Sequence, residues 1–311
     1  MNSRPWRIAV TGAAGFVGSV FLRHVAELDM PGIEAVSIFG SAAGDIRDFG
    51  QVSRAIAAMR PDVVLHLAAV AAPSAARADP SEAWHVNVMG TLHIAQAIRE
   101  QSPKTRLLFV GSSEAYGGSF LTSPSPVAET AALLPRNTYA ATKAAADLMI
   151  GQMSVDGLNA IRFRPFNHSG PGQTSEYVLP AFAQQVARIE KGQQPPVLNV
   201  GNLDAERDFL DVRDVVHAYF QAALPETQIP MGAVFNVATG HPVRIGQILS
   251  LLLDQAKVPI DVKQDAAKFR PNDIPRASGD SRVVRESLGW YPTITLEQTV
   301  ADVLEFFRSR P

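Results

Sequence analysis

The chain has 311 residues, 46% of them hydrophobic and 19% charged, which suffices for one large or two modest domains with well-buried cores. A net charge of -2 gives no basic footprint for nucleic acid, and the absence of cysteine excludes disulfides and thiolate metal sites. That cysteine usage fits a reducing cytoplasm; no leader peptide, no bilayer-spanning run and no metal site are expected.

The first half alternates short apolar runs with amphipathic stretches, the pattern of βαβ units around a parallel sheet. Strands are expected at Arg7–Thr11, Ala35–Phe39, Val63–Leu67, Leu107–Gly111 and Ala160–Arg164. Helices are expected at Phe16–Leu28, Gln51–Met59, Ser81–Gln101 and Thr138–Val155, with Ala-rich Ala68–Ala78 as a loop. From about Asn167, proline and glycine become frequent and short elements mix irregularly. The reading is α/β: a Rossmann-type, doubly wound parallel sheet over residues 1–166, to which later segments return. A smaller mixed α/β substrate domain occupies mainly 167–311.

The first strand runs into Thr11-Gly12-Ala13-Ala14-Gly15-Phe16-Val17-Gly18, a G-x-x-G-x-x-G turn opening a helix. Gly12 permits the tight turn, Gly15 lets a pyrophosphate approach the helix N-terminus, and Gly18 allows close helix–strand packing. With Ala14, Phe16 and Val17 these are candidate contacts for NAD or NADP. The second strand ends in Ser37-Ile38-Phe39-Gly40-Ser41, with neither the acid that selects NAD nor a base for NADP. Asp45, followed by Ile46, is a candidate adenine contact or a helix N-cap. His66-Leu67-Ala68-Ala69 ends a strand in small residues across which a dinucleotide could lie; Leu67, Ala68 and Ala69 are its candidates. His66 itself reads as structural, and Asn87 as a brace for the sheet edge or an ordinary helix polar residue.

Gly111-Ser112-Ser113-Glu114-Ala115-Tyr116-Gly117 places hydroxyls at a strand end, facing the crevice where α/β sheets bind ligands. A serine there can hydrogen-bond a carbonyl oxygen as it becomes an alkoxide. Glu114 could act as a base in dehydration or bind sugar hydroxyls. Tyr139-Ala140-Ala141-Thr142-Lys143 puts a tyrosine and a lysine on one helix face, where the ammonium lowers the tyrosine pKa towards general acid/base use.

In order and spacing, these segments resemble the extended short-chain dehydrogenase/reductases acting on nucleotide sugars, the epimerase/dehydratase family, over essentially the whole chain. The resemblance implies Ser112, Tyr139 and Lys143 as catalytic residues. It also implies NAD(P) and, often, a homodimer through Ser81–Gln101 and Thr138–Val155. Arg164-Pro165-Phe166-Asn167-His168-Ser169-Gly170-Pro171-Gly172-Gln173 resembles a segment of GDP-mannose dehydratases and GDP-4-keto-6-deoxymannose reductases. Val200-Gly201-Asn202-Leu203-Asp204-Ala205-Glu206-Arg207-Asp208 looks like their guanine-binding segment, and Arg270-Pro271-Asn272-Asp273-Ile274-Pro275 like their R-P-x-E/D-x-P. By that resemblance Asn167, Arg207 and Arg270 meet phosphates, Asn202 and Leu203 frame the base, and Asp273 meets the ribose; Ser113 and Val178 are further substrate candidates.

Ser112 in place of threonine, and Asp211-Val212-Arg213-Asp214, look more like the reductases. The resemblance thus implies NAD(P)H-dependent reduction of the C4 ketone of a GDP-4-keto-6-deoxyhexose. The alternatives are a GDP-mannose 4,6-dehydratase or nucleotide-sugar 4-epimerase that recycles NAD(P) internally and, remotely, a non-catalytic dinucleotide sensor. Two departures stand out. Val70 to Arg77 offers only Ser74 and Arg77 as polar side chains where the family places sugar-binding groups, and the segment Ser41–Gly44 is short.

Overall fold

The structure is a computed structural model that describes residues 4–39, 44–122, 126–265 and 274–310. Strand β1 (Trp6–Thr11) buries Ile8, Ala9 and Val10 completely, as a strand covered on both faces requires. It feeds α1 (Phe16–Leu28), β2 (Ile33–Ser37), α2 (Phe49–Met59) and β3 (Val63–His66). Next come α3 (Pro73–Ala78), α4 (Pro80–Trp84), a π-helical turn at His85–Gly90, α5 (Thr91–Gln101) and β4 (Arg106–Val110). A 3-10 turn (Ser113–Tyr116) and α6 (Ser119–Thr122) precede α7 (Thr138–Val155) and β5 (Ala160–Pro165). The chain continues through β6 (Asn167–Ser169), α8 (Val178–Glu190), β7 (Val197–Val200), β8 (Glu206–Asp211), α9 (Val212–Ala223) and β9 (Val234–Val237). It closes with β10 (Pro242–Arg244), α10 (Ile245–Leu253), β11 (Asp261–Gln264), β12 (Arg276–Ala277), α11 (Arg282–Leu288) and α12 (Leu296–Arg308).

Six strands form one all-parallel sheet in the order β2-β1-β3-β4-β5-β9. The order reverses at β1, so the crevice between the carboxyl ends of β1 and β3 is the switch point at which such sheets take ligands. Phe21, Phe163, Tyr219 and Phe235 fill the core on the α1/α9 face, and Ile56, Ile94 and Ile150 that on the α2/α5/α7 face. A smaller layer pairs β10-β8-β12 and β6 with β8, while β7 pairs β11. Leu179, Ile248 and Val303 of α8, α10 and α12 form a third core beside it. Strand β9 belongs to the large sheet although it lies in sequence between strands of the smaller layer, after β6 and β8 and before β10 and β12.

Three local expectations differ. The span Ala68–Ala78, expected as a loop, contains α3, because Pro73 at its first turn is already set in helical φ and alanines follow. Ser81–Gln101 is not one uniform α-helix: the π-helical turn inserts a residue at its centre and brings Asn87 inward, 1% exposed. Strand β2 ends at Ser37, short of Phe39.

Helix α1 lies so close to its own preceding turn that a Cβ on Gly18 would stand 2.3 Å from the Gly12 carbonyl oxygen. Gly18→Ala is expected to lower unfolding stability by about 1–3 kcal/mol through forced backbone movement. An unchanged urea midpoint would show that the contact yields freely.

Candidate active site

Gly12 adopts φ 67°, and a Cβ there would fall 2.8 Å from the Ala68 nitrogen, so the turn can cross the end of β3 only as glycine. Gly15 caps α1 without a side-chain hydrogen bond, which leaves amides at the helix N-terminus free for an anion. Thr11 Oγ1 accepts from the Leu67 and Ala68 amides, both at 3.1 Å, and gives its own proton to His66 Nδ1 at 2.8 Å. His66 Nε2 lies 2.9 Å from Thr91 Oγ1, whose proton goes to the Asn87 carbonyl at 2.7 Å. This inventory requires a neutral His66 carrying its proton on Nε2. Burial, reinforced by Lys143, pushes its pKa down to about 3. His66 is therefore a strut.

Asn87 braces the next segment. Its Oδ1 accepts from the Val70 amide at 2.8 Å, and its Nδ2 donates to the Val70 carbonyl at 3.2 Å and to Thr142 Oγ1 at 2.9 Å. Thr142 in turn donates to the Tyr139 carbonyl. Asn137 caps α7 by accepting from Ala140 N at 2.8 Å and donates to Glu114 Oε2 at 3.0 Å. One residue thus sets both the helix carrying Tyr139 and the carboxylate facing it. Ser112 Oγ accepts from the Glu114 amide at 3.1 Å.

Lys143 is 6% exposed and donates from Nζ to the Val110 carbonyl at 2.8 Å. Burial pushes its pKa down to about 8. The Tyr139 phenol is held above its ordinary range by burial and by the Glu114 carboxylate, while the Ser112 hydroxyl pulls the other way. The expected lowering by Lys143 is not what the site shows: burial raises the phenol instead.

These groups share one cleft of about 680 Å³, within the range of small-molecule sites. Gly12, Gly15, Phe16 and Val17 line one end; Leu67, Ala68 and Ala69 line its side. Ser112, Ser113, Glu114, Tyr139, Lys143 and Asn167 face the same space. Ala71, Ala72, Pro73 and Ala75 make an apolar wall, with Ser74 and Arg77 exposed beyond it.

Other candidates stand apart from this lining. Ala14 is exposed beside the turn, and Ile46 is buried against Gly90. The Asp45 carboxylate is held by Arg47, which also binds Glu82, and the cap of α2 is Asp48. Val178 opens α8 and packs, like Leu203, on the third core. Asn202 Oδ1 accepts from the Asp204 amide, and Arg207 lies on β8 with Nη1 on the Glu206 carbonyl. Arg270 and Asp273 lie outside the described residues.

The cleft also takes Gln173, which closes the Arg164–Gln173 segment read from sequence, and Thr174, Glu176, Tyr177 and Tyr219, which that reading did not single out. Thr174, Glu176 and Tyr177 follow the proline- and glycine-rich run, where no periodicity reveals side-chain directions. Tyr219 sits in an apolar stretch of α9 that reads only as core. Arg164, by contrast, serves the scaffold: it is 4% exposed, pairs doubly with Asp147 at 2.8 and 2.9 Å, and donates to Tyr116 Oη at 2.9 Å. Among the described residues no three metal-binding side chains gather, and no helix is long and apolar enough to cross a membrane.

Residues 9–303 match the GDP-mannose 4,6 dehydratase family, and the chain belongs to it. It is 32% identical to GDP-6-deoxy-D-mannose reductase of Pseudomonas aeruginosa, with 98% of each chain covered. It is 26% identical to GDP-mannose 4,6-dehydratase of Yersinia enterocolitica, covering 84% of this chain and 77% of that one. The solved structure of RMD from Pseudomonas aeruginosa complexed with NADPH superimposes with a TM-score of 0.90 at 32% identity, over 98% of this chain and all of that one.

Lys143 gives a pH test. Its pKa is about 8 in the folded protein against 10.5 for an ordinary lysine, so between those values the unfolded chain holds more protons and stability rises with pH. In Lys143→Met this contribution vanishes. Urea unfolding at several pH values in that window is expected to show a shallower rise for the variant; parallel slopes would refute the buried, weakened ammonium.

Proposed function

We propose that this member of the GDP-mannose 4,6 dehydratase family is an NAD(P)H-dependent reductase. It reduces the C4 ketone of GDP-4-keto-6-deoxymannose, giving GDP-rhamnose or its C4 epimer. The observation that carries the reading is a tyrosine kept protonated beside Ser112 and Lys143, in a cleft that opens at its other end onto the glycine turn. The full-length likeness to the Pseudomonas aeruginosa reductase supports it.

The glycine turn and the uncapped amides of α1 fit a dinucleotide pyrophosphate. Bound there, the reduced dinucleotide supplies the hydride. Ser112 Oγ hydrogen-bonds the ketone oxygen, and Tyr139 delivers its proton to that oxygen as the alcohol forms. The buried Lys143 ammonium sits one helical turn along and stabilises the tyrosinate left behind. Asn167 at the cleft edge pairs in β6 with Phe209 of β8, the strand that carries Arg207. On this reading Asn167 and Arg207 take the phosphates, Asn202 and Leu203 the guanine, and residues 167–311 supply most of the substrate side.

A second reading, a 4,6-dehydratase recycling its dinucleotide internally, draws on Glu114 in the cleft. It requires no added reductant, so the same assay separates the two. A homodimer is favoured by apolar side chains left exposed on α4, the π-helical turn and α7: Trp84 at 43%, Met89 at 42% and Leu148 at 61%. The cytoplasm suits a cysteine-free chain using a reduced dinucleotide.

Adding GDP-4-keto-6-deoxymannose to the protein with NADPH or NADH is expected to oxidise the reductant stoichiometrically. No oxidation with either would overturn the reading. Tyr139→Phe is expected to lower turnover by about 100-fold or more with GDP affinity within about twofold. Loss of GDP affinity in parallel with turnover would remove Tyr139 from the chemistry.

A further inference from the structure

Tyr219 on α9 is wholly buried, yet its hydroxyl has no hydrogen-bond partner among the described residues. Buried hydroxyls are rarely left so, because the lost hydration goes uncompensated. The ring packs edge-on against Phe163, with centroids 4.9 Å apart, which holds it in place. The residue forms part of the cleft wall together with Phe16, Pro165 and His168. Burial keeps the phenol protonated at any working pH, and it lies close enough to feel charge on Tyr139.

Two occupants come near Tyr139: the ketone and the hydride donor. Tyr139 and Lys143 approach from α7 on one face of the sheet, whereas Tyr219 belongs to the core on the other face, shared with α1. On the proposed reading the dinucleotide's pyrophosphate lies at the α1 N-terminus, and its nicotinamide half has to end with the reactive ring beside the carbon whose oxygen Tyr139 and Ser112 hold. The end that reaches Tyr219 is therefore the nicotinamide, whose carboxamide offers a carbonyl acceptor and an amide donor.

We infer that the Tyr219 hydroxyl hydrogen-bonds the nicotinamide carboxamide and is a positioning residue for hydride transfer. The inference rests on the reading of the cleft as a dinucleotide site. Tyr219→Phe removes one oxygen without changing the ring, and since that oxygen is unpaired, the variant without cofactor is expected to melt no lower than wild type. Binding of NADPH and of 2′-phospho-ADP-ribose, which lacks the nicotinamide, is measured by calorimetry on both proteins. NADPH affinity is expected to fall about fivefold or more in the variant, with 2′-phospho-ADP-ribose affinity unchanged.

Equal NADPH affinity in the two proteins would overturn the inference and leave the hydroxyl to a buried water. Equal weakening of both ligands would also overturn it, pointing to a general distortion. Wild-type protein that binds neither NADPH nor NADH would sink the dinucleotide reading itself.

Discussion

A line of buried hydrogen bonds joins the glycine turn to the helix that carries Tyr139. It runs from Thr11 through the His66 ring to Thr91, from there to Asn87, and from Asn87 through Thr142 to the Tyr139 carbonyl. Each hydroxyl has one proton, and the direction of each bond is dictated by its neighbour. The consequence is mechanical: the ends of β1 and β3, the π-helical turn and the start of α7 hold a common register. A π-helical turn is costly in isolation, and here it is what lets Asn87 face inward to close the line.

A second network holds α7 from its other side. Asp147, fully buried, accepts from Arg162 at 3.0 Å and takes the paired bonds of Arg164. Arg164 passes the connection to Tyr116, whose hydroxyl donates to Asn236 Oδ1 at 2.7 Å. Asn236 then donates from Nδ2 to the Val127 carbonyl and from its backbone amide to the Glu129 carboxylate. Such buried ion pairs add little net stability, since desolvation consumes the Coulombic gain, but removing one partner is severe. Their effect is positional: β5, β9 and α7 meet at fixed offsets just below the cleft.

Much of this is legible in the sequence. Helix α7 spans Thr138–Val155 as expected, because Asn137 caps it and an alanine-rich run follows. The glycine turn is equally readable, since three glycines after an apolar strand leave few alternatives. The π-helical turn is not, because an inserted residue in an apolar helix leaves the pattern of apolar positions nearly intact. Arg164 reads only as part of a substrate-side motif; its partner Asp147 lies on another element, and sequence spacing carries no information about that pairing. Tyr219 shows the same limit. Apolar periodicity reports that a tyrosine is inside, and not whether its oxygen has found a partner.

The grip of Asn87 on the sheet edge is made entirely to the Val70 backbone, amide and carbonyl together. Lys143 likewise gives its hydrogen bond to a backbone group, the Val110 carbonyl, and lies over the Phe109 ring. At Val70 and Val110 the grip is therefore on backbone groups, which a change of side chain other than to proline leaves in place. The wall beginning at Val70, lined here by alanines and a proline, can be rebuilt by mutation without loosening that anchorage. The shape and polarity of this side of the cleft can drift while the backbone grips at Val70 and Val110 persist.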